Sequence, residues 1–180
     1  MDKEQRWIKQ IQTNASESAA NALVSKYYKE IYAFCFKQTL NQDLSLDLTQ
    51  EIFISTLQSI HTYDKKRASF RTWLYRLAAN KIVDYYRSKT YRYTQFSQPI
   101  EDREIVDEHD LVLSLEYKED VEQVNAIVNN LESSSQQIMR LKLFGDYTLK
   151  EIAEMESIPV STVKTRYYAA LRKIRKEMEV

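Results

Sequence analysis

The residues best equipped for chemistry are cations and aromatics crowded into residues 63–92, YDKKRASFRTWLYRLAANKIVDYYRSKTYR. Nine Lys or Arg (Lys65, Lys66, Arg67, Arg71, Arg76, Lys81, Arg87, Lys89 and Arg92) stand against two acids, Asp64 and Asp84, with Phe70, Trp73 and five tyrosines threaded among them. Cations neutralise phosphates and aromatic faces accept unstacked bases, so the combination suits single-stranded nucleic acid. Catalysis finds less to work with. His61 and His109 are far apart, Cys35 has no second thiol for a zinc set, and neither a P-loop nor GxGxxG occurs in a chain with one Gly. Glu101 and Asp102 lie in an acidic stretch that lacks the burial and fixed geometry needed to tune a catalytic pKa. No cofactor or metal is expected, and Cys35, between Phe34 and Phe36, reads as a small core residue.

A helix has to position the basic stretch. Ser69 to Arg87 contains no Gly or Pro and is rich in Leu, Ala, Arg and Lys. Its pattern places Phe70, Leu74, Leu77, Ala78 and Tyr85 on one packing stripe. Trp73, Arg76, Asn80, Val83 and Arg87 share a flank beside it, where a base could be read; the competing reading is a solvated basic helix whose Trp73 plugs a neighbouring groove. Lys65, Lys66 and Arg67 precede the helix start, where the dipole favours anions, so their charge points to an external anion.

The chain as a whole has 180 residues, one Gly and two Pro, which leaves little turn chemistry for hairpins and predicts an all-α fold. Its 26 basic and 26 acidic residues balance, but they come in blocks. Residues 97–122 hold ten acids and two cations, a linker composition. Within it Leu111, Val112, Leu113 and Leu115 suggest a short docked helix. The expected plan is therefore two small helical domains, residues 1–95 and 121–180, joined by an acidic linker over 96–120. No N-terminal apolar segment or run of about 18 apolar residues appears, which predicts a soluble, cytoplasmic protein without membrane insertion.

Before the basic helix, residues 4–12, 16–41 and roughly 46–61 read as helices, with Asn41, Gln42, Asp43 and Ser45 connecting the last two. On the third, Phe53, Leu57 and Ile60 face one way and Asp47, Gln50, Glu51, Ile54 and Gln58 the other. That second face fits a solvated acidic helix or a docking face for a basic protein helix. After the linker, Val124, Ile127, Val128 and Leu131 share a face, followed by Ile138, Leu141 and Phe144, with Gly145 expected to close that helix in the left-handed region. Thr148 to Glu151, TLKE, matches a capping box, and Pro159 presets the start of the final helix. Two helices so closely joined suggest helix-turn-helix. Val160, Val163, Tyr167, Leu171, Ile174 and Met178 form its buried stripe, while Ser161, Thr162, Thr165, Ala169, Arg172, Lys173 and Lys176 stand opposite, with Lys164, Arg166 and Tyr168 on the flanks. Hydroxyls at the tip and cations along the body suit a helix meeting base edges and phosphates; a solvated C-terminal helix is the alternative.

Two stretches carry a family resemblance. DLTQEIFISTLQSIHTYDKKRASFRTWLYRLAANKIVDYYR resembles region 2 of bacterial RNA polymerase sigma factors of the extracytoplasmic-function (ECF) subfamily. LESSSQQIMRLKLFGDYTLKEIAEMESIPVSTVKTRYYAALRKIR resembles their region 4, in the family's order. By that resemblance Asp47, Gln50, Glu51 and Phe53, with Ile54 beside them, match the segment that docks on the clamp helices of the polymerase largest subunit. Lys65, Lys66, Arg67, Phe70 and Arg71 match the loop that captures a flipped base, and Trp73, Arg76 and Asn80, with Arg87 on the same flank, the helix on the promoter −10 element. Ser161, Thr162, Lys164, Thr165, Arg166 and Arg172, with Lys173 next to them, match the helix entering the −35 major groove. The resemblance further implies an anti-sigma partner, and a linker that threads towards the RNA exit path. The chain departs from the pattern at Glu132, where the family has Pro, and at Glu156-Ser157, where Leu-Gly or Leu-Asn is common. A stand-alone helix-turn-helix regulator and a nucleic-acid-processing enzyme are the other classes weighed; the first leaves the basic helix without work, the second lacks a catalytic motif.

Overall fold

A computed structural model describes residues 2–88 and 115–178, with side chains from residue 119 in the second segment. Every regular element among the described residues is helical. The first four helices are α1 (Lys3–Asn14), α2 (Glu17–Thr39), α3 (Gln42–Ser59) and α4 (Phe70–Arg87), with a 3₁₀ turn over Ile60–Thr62. The second segment holds α5 (Leu115–Asn129), α6 (Ser133–Leu143), α7 (Leu149–Glu156) and α8 (Val160–Met178). Helix α5 begins inside the stretch expected to be linker. The remainder of that stretch, including residues 111–114 of the suggested docked helix, lies outside the described residues, as do Lys89 and Arg92.

Side chains and unusual backbone set the boundaries. Ser16, Asn41, Ser69 and Thr148 cap α2, α3, α4 and α7 by accepting hydrogen bonds from amides that the helices leave unpaired. Because Asn41 caps α3, Gln42 and Asp43 belong to the helix and not to the connection. Glu151 completes the capping box at Thr148, its carboxylate accepting from the Thr148 N–H at 2.8 Å. Ala15, Leu40, Asp146 and Ser157 take positive φ, between 48° and 58°. Gly145 does not, which corrects the expected glycine cap. A Cβ at Gly145 would lie 2.9 Å from the Leu141 carbonyl oxygen and 3.0 Å from the Tyr147 ring, so glycine is required there for space.

The core explains the wide buried face of α4. Phe70, Leu74 and Ala78 pack against Leu23, Ile31, Phe34 and Ile52 of α2 and α3. Tyr75, Ala79, Ile82 and Val83 are also buried, because α6 and α7 cover a second side of α4. The expected stripe is therefore too narrow: Val83, placed on the exposed flank, is 4% exposed, whereas Leu77 and Tyr85 are only half-buried. Ile138, Leu141, Tyr147, Ile152 and Met155 belong to the same apolar cluster as the first four helices. A second cluster joins Ile127, Val128, Met139, Ala170 and Ile174 of α5, α6 and α8. Cys35 is fully buried, and burial pushes its thiol up to about 12, so it is an inert core thiol at neutral pH.

Candidate nucleic-acid and polymerase interface

On α3, Leu48, Thr49, Ile52 and Phe53 turn inward while Asp47, Gln50, Glu51 and Ile54 stay exposed. Ile54 is 56% exposed, an apolar side chain ringed by polar ones. Glu51 lies 3.5 Å from Lys81 of α4. Phe53, which the family motif places among the docking residues, is 6% exposed and stacks on Tyr28 with centroids 6.1 Å apart. It braces the face from beneath and does not reach a partner.

The turn from Asp64 to Ser69 is organised by its one acid. The Asp64 side chain accepts from the Lys66 N–H at 2.9 Å and its carbonyl from the Arg67 N–H at 3.0 Å, while the Tyr63 hydroxyl donates to the Ala68 carbonyl at 3.1 Å. This turn leaves Lys65, Lys66 and Arg67 exposed. The Arg67 to Asp64 ion pair, 3.9 Å long with Arg67 89% exposed, holds the cation only weakly.

Phe70, the first residue of α4, is 1% exposed, which corrects its assignment to DNA contact. It packs with Tyr63 and Trp73 at centroid distances of 5.5 and 5.6 Å, and Trp73 also meets Tyr63 at 5.5 Å. The half-buried Trp73 thus rests on a two-ring platform, which fits the groove-plugging reading while leaving part of the indole accessible. Asn80 and Arg87 are exposed. Arg71 is engaged within the chain: its Nε donates to Glu30 at 2.8 Å, Nη2 to the Tyr75 hydroxyl at 3.2 Å and Nη1 to the Tyr147 hydroxyl at 3.3 Å. Arg76 lies 3.4 Å from Glu156 of α7.

In α7 and α8 the expected turn forms without Gly or Asn. Ser157 takes φ 55°, and the Ile158 N–H donates to the Ala153 carbonyl at 3.1 Å, closing the helix end. Helix α8 buries Val163, Ala170 and Ile174. Ser161, Lys164, Thr165, Arg172 and Lys173 are exposed, and Thr162 and Arg166 half-buried, so one side of the helix carries hydroxyls at its start and cations further on. Met178, expected on the buried stripe, is 37% exposed at the helix end.

Several residues at the junction of the two halves escaped the sequence reading. Arg140 is fully buried, donating to Gln38 Oε1 at 2.9 Å and to Asn129 Oδ1 at 2.5 Å, with its guanidinium 4.9 Å from the Tyr86 ring. Gln137, 4% exposed, donates to the Arg76 carbonyl and to Glu156 Oε1, both at 3.3 Å. The only local sign was a cation and two glutamines inside an apolar run, QQIMRLKLF.

The Sigma-70 region 2 family matches residues 23–92, and the Sigma-70 region 4 family matches residues 122–174. Over 183 aligned residues the chain is 31% identical to the ECF RNA polymerase sigma factor SigW of Bacillus subtilis (strain 168), covering 95% of this chain and 94% of the relative. The chain belongs to the ECF family of RNA polymerase sigma factors. The ECF sigma factor SigX of the same organism is 26% identical, covering 91% of this chain and 86% of its own. Among solved structures, CnrH in complex with the cytosolic domain of CnrY matches with TM-score 0.61 at 17% identity, covering 99% of this chain and 98% of that one. The sigma factor RpoE in complex with the anti-sigma factor NepR from Bartonella quintana matches with TM-score 0.57 at 17% identity, covering 89% and 96%. These likenesses show a shared fold. As a sigma factor this chain acts in transcription initiation, directing RNA polymerase to promoters. Among the described residues no helix is long and apolar enough to cross a membrane, and no group of three or more His, Cys, Asp or Glu is placed to hold a metal.

Proposed function

We propose that this sigma factor works with two hands in the cytoplasm and makes or breaks no bond itself. The exposed side of α3 (Asp47, Gln50, Glu51 and Ile54) docks on the clamp helices of the polymerase largest subunit. The turn at Lys65, Lys66 and Arg67, with Arg71, Trp73, Arg76, Asn80 and Arg87 of α4, takes the melted −10 strand. The outer side of α8 (Ser161, Thr162, Lys164, Thr165, Arg166, Arg172 and Lys173) enters the −35 major groove. Base capture offsets the few kcal/mol that flipping a base costs, with stacking on an aromatic contributing about 1 to 3 kcal/mol per base. An anti-sigma factor, of the kind that NepR is for its own sigma factor, covers these surfaces until a stimulus releases them. Domain limits of 1–95, 96–120 and 121–180 go with this reading.

The observation that carries it is the exposed Ile54 among Asp47, Gln50 and Glu51, on the helix that bears the family's docking motif. Run-off transcription with bacterial core polymerase on a panel of promoters tests it. Wild type gives specific starts, and Gln50→Ala combined with Glu51→Ala weakens them. A protein that binds duplex DNA alone and neither binds core nor starts transcription would instead be a stand-alone regulator.

A further inference from the structure

Two of the cations proposed to take the −10 strand already have partners in the other half of the chain. Arg76 faces the Glu156 carboxylate at 3.4 Å, and Gln137 reinforces that pair by donating both to Glu156 and to the Arg76 backbone carbonyl at 3.3 Å. Arg71 donates to Tyr147, whose ring meets Tyr75 edge-on with centroids 5.5 Å apart. A carboxylate and a phenol on α7 and the loop before it therefore sit where phosphate oxygens and a base would have to come. The junction is also rich in polar groups, including the buried Arg140 and Gln137. Such an interface can separate, because its charged and amide groups regain water when it opens.

We infer that α6 and α7 form an intramolecular latch on α4, with Glu156 standing in for a DNA phosphate at Arg76, so that the closed chain and the −10-bound chain exclude one another. This rests on the reading of α4 as the −10 surface. Polymerase binding, by holding the two halves apart, would then expose the strand-binding surface only where it is needed.

Glu156→Arg places a cation opposite Arg76 and opens the latch without touching a proposed DNA contact. Glu154→Arg makes the same charge change at an exposed position on the same helix and serves as its control. With each full-length protein, small-angle scattering reads compactness and fluorescence anisotropy reads binding of a labelled 20-nucleotide oligo-dT strand. The expected result is that E156R expands and binds the strand about tenfold more tightly than E154R, while E154R stays as compact as wild type. If circular dichroism shows E156R to have lost helix, Glu156→Gln carries the comparison, with Glu154→Gln as its control. Equal strand affinity in an expanded E156R, or a wild type already as expanded as E156R, overturns the latch. Run-off transcription by wild type separates the two readings. Starts from wild type with no gain in E156R sink the latch alone; no starts with core polymerase sink the sigma mechanism beneath it.

Discussion

At single residues, the chain spends its backbone freedom in unexpected places. Four non-glycine residues adopt the left-handed region, while the one glycine serves only for space. The substitutions that would look benign from the sequence therefore have opposite signs. Gly145→Ala drives a Cβ into the Leu141 carbonyl and the Tyr147 ring and should cost about 1 to 3 kcal/mol in denaturant unfolding. Ala15→Gly, at an exposed φ of 48°, should stabilise by about 0.5 to 1 kcal/mol, since relief of left-handed strain exceeds the added freedom of the unfolded chain. A second residue-scale prediction concerns Tyr75. Burial, opposed by Arg71 and reinforced by the Glu30 carboxylate, pushes its phenol up to about 12. The folded state holds the proton more tightly than the unfolded chain, whose tyrosines titrate near about 10. Its contribution to stability is complete below that value and is lost as pH rises through about 12. Alkaline melts of Tyr75→Phe should lack that part of the decline, and difference absorbance at the phenolate band should lose a late-titrating tyrosine.

Among the elements, most of what positions the proposed surfaces was legible in the sequence, because helix periods and caps are local. Ser69 announces the start of α4, and TLKE that of α7, through side chains that satisfy amides three residues on. The burial of Phe53 and Phe70 was not legible from the family motif, which marks where residues fall but not which way each side chain turns. The α7 cap allows a direct test. Hydrogen bonds from the Thr148 N–H and hydroxyl lower the Glu151 pKa. Its stabilising effect is present above the unfolded carboxylate value of about 4.3 and fades as pH falls through the depressed folded value. Thr148→Ala should cost about 1 kcal/mol at neutral pH. Glu151→Gln should destabilise at neutral pH, and its melting difference from wild type should shrink as the solution is acidified. An unchanged difference at low pH would mean that the carboxylate's charge is not what stabilises the cap.

For the whole molecule, the placement of the halves was not legible, since periodicity reports neighbours three or four residues apart. The contacts that set it join Arg76 to Gln137 and Gln38 to Arg140, 61 and 102 residues apart in sequence. The apolar cluster that joins them has a measurable consequence. Both tryptophans, Trp7 and Trp73, lie in the first half, and both pack against the cluster to which α6 contributes Leu141. Fluorescence therefore reports unfolding of the first four helices, while a substitution in α6 perturbs the second half. Leu141→Ala opens a cavity at a fully buried position, which costs about 2 to 5 kcal/mol where the surroundings cannot collapse. If the halves were independent, the tryptophan curve would not move. Coupled through the shared cluster, its midpoint should fall by the share of that loss transmitted across the junction. Val128→Ala supplies the contrast, because Val128 is equally buried but belongs to the second cluster. It should lower the helix signal of the second half more than the tryptophan midpoint. Equal tryptophan shifts from both variants would mean that the two clusters unfold as one unit; a shift from neither would mean that the junction contributes nothing to the stability of the first half.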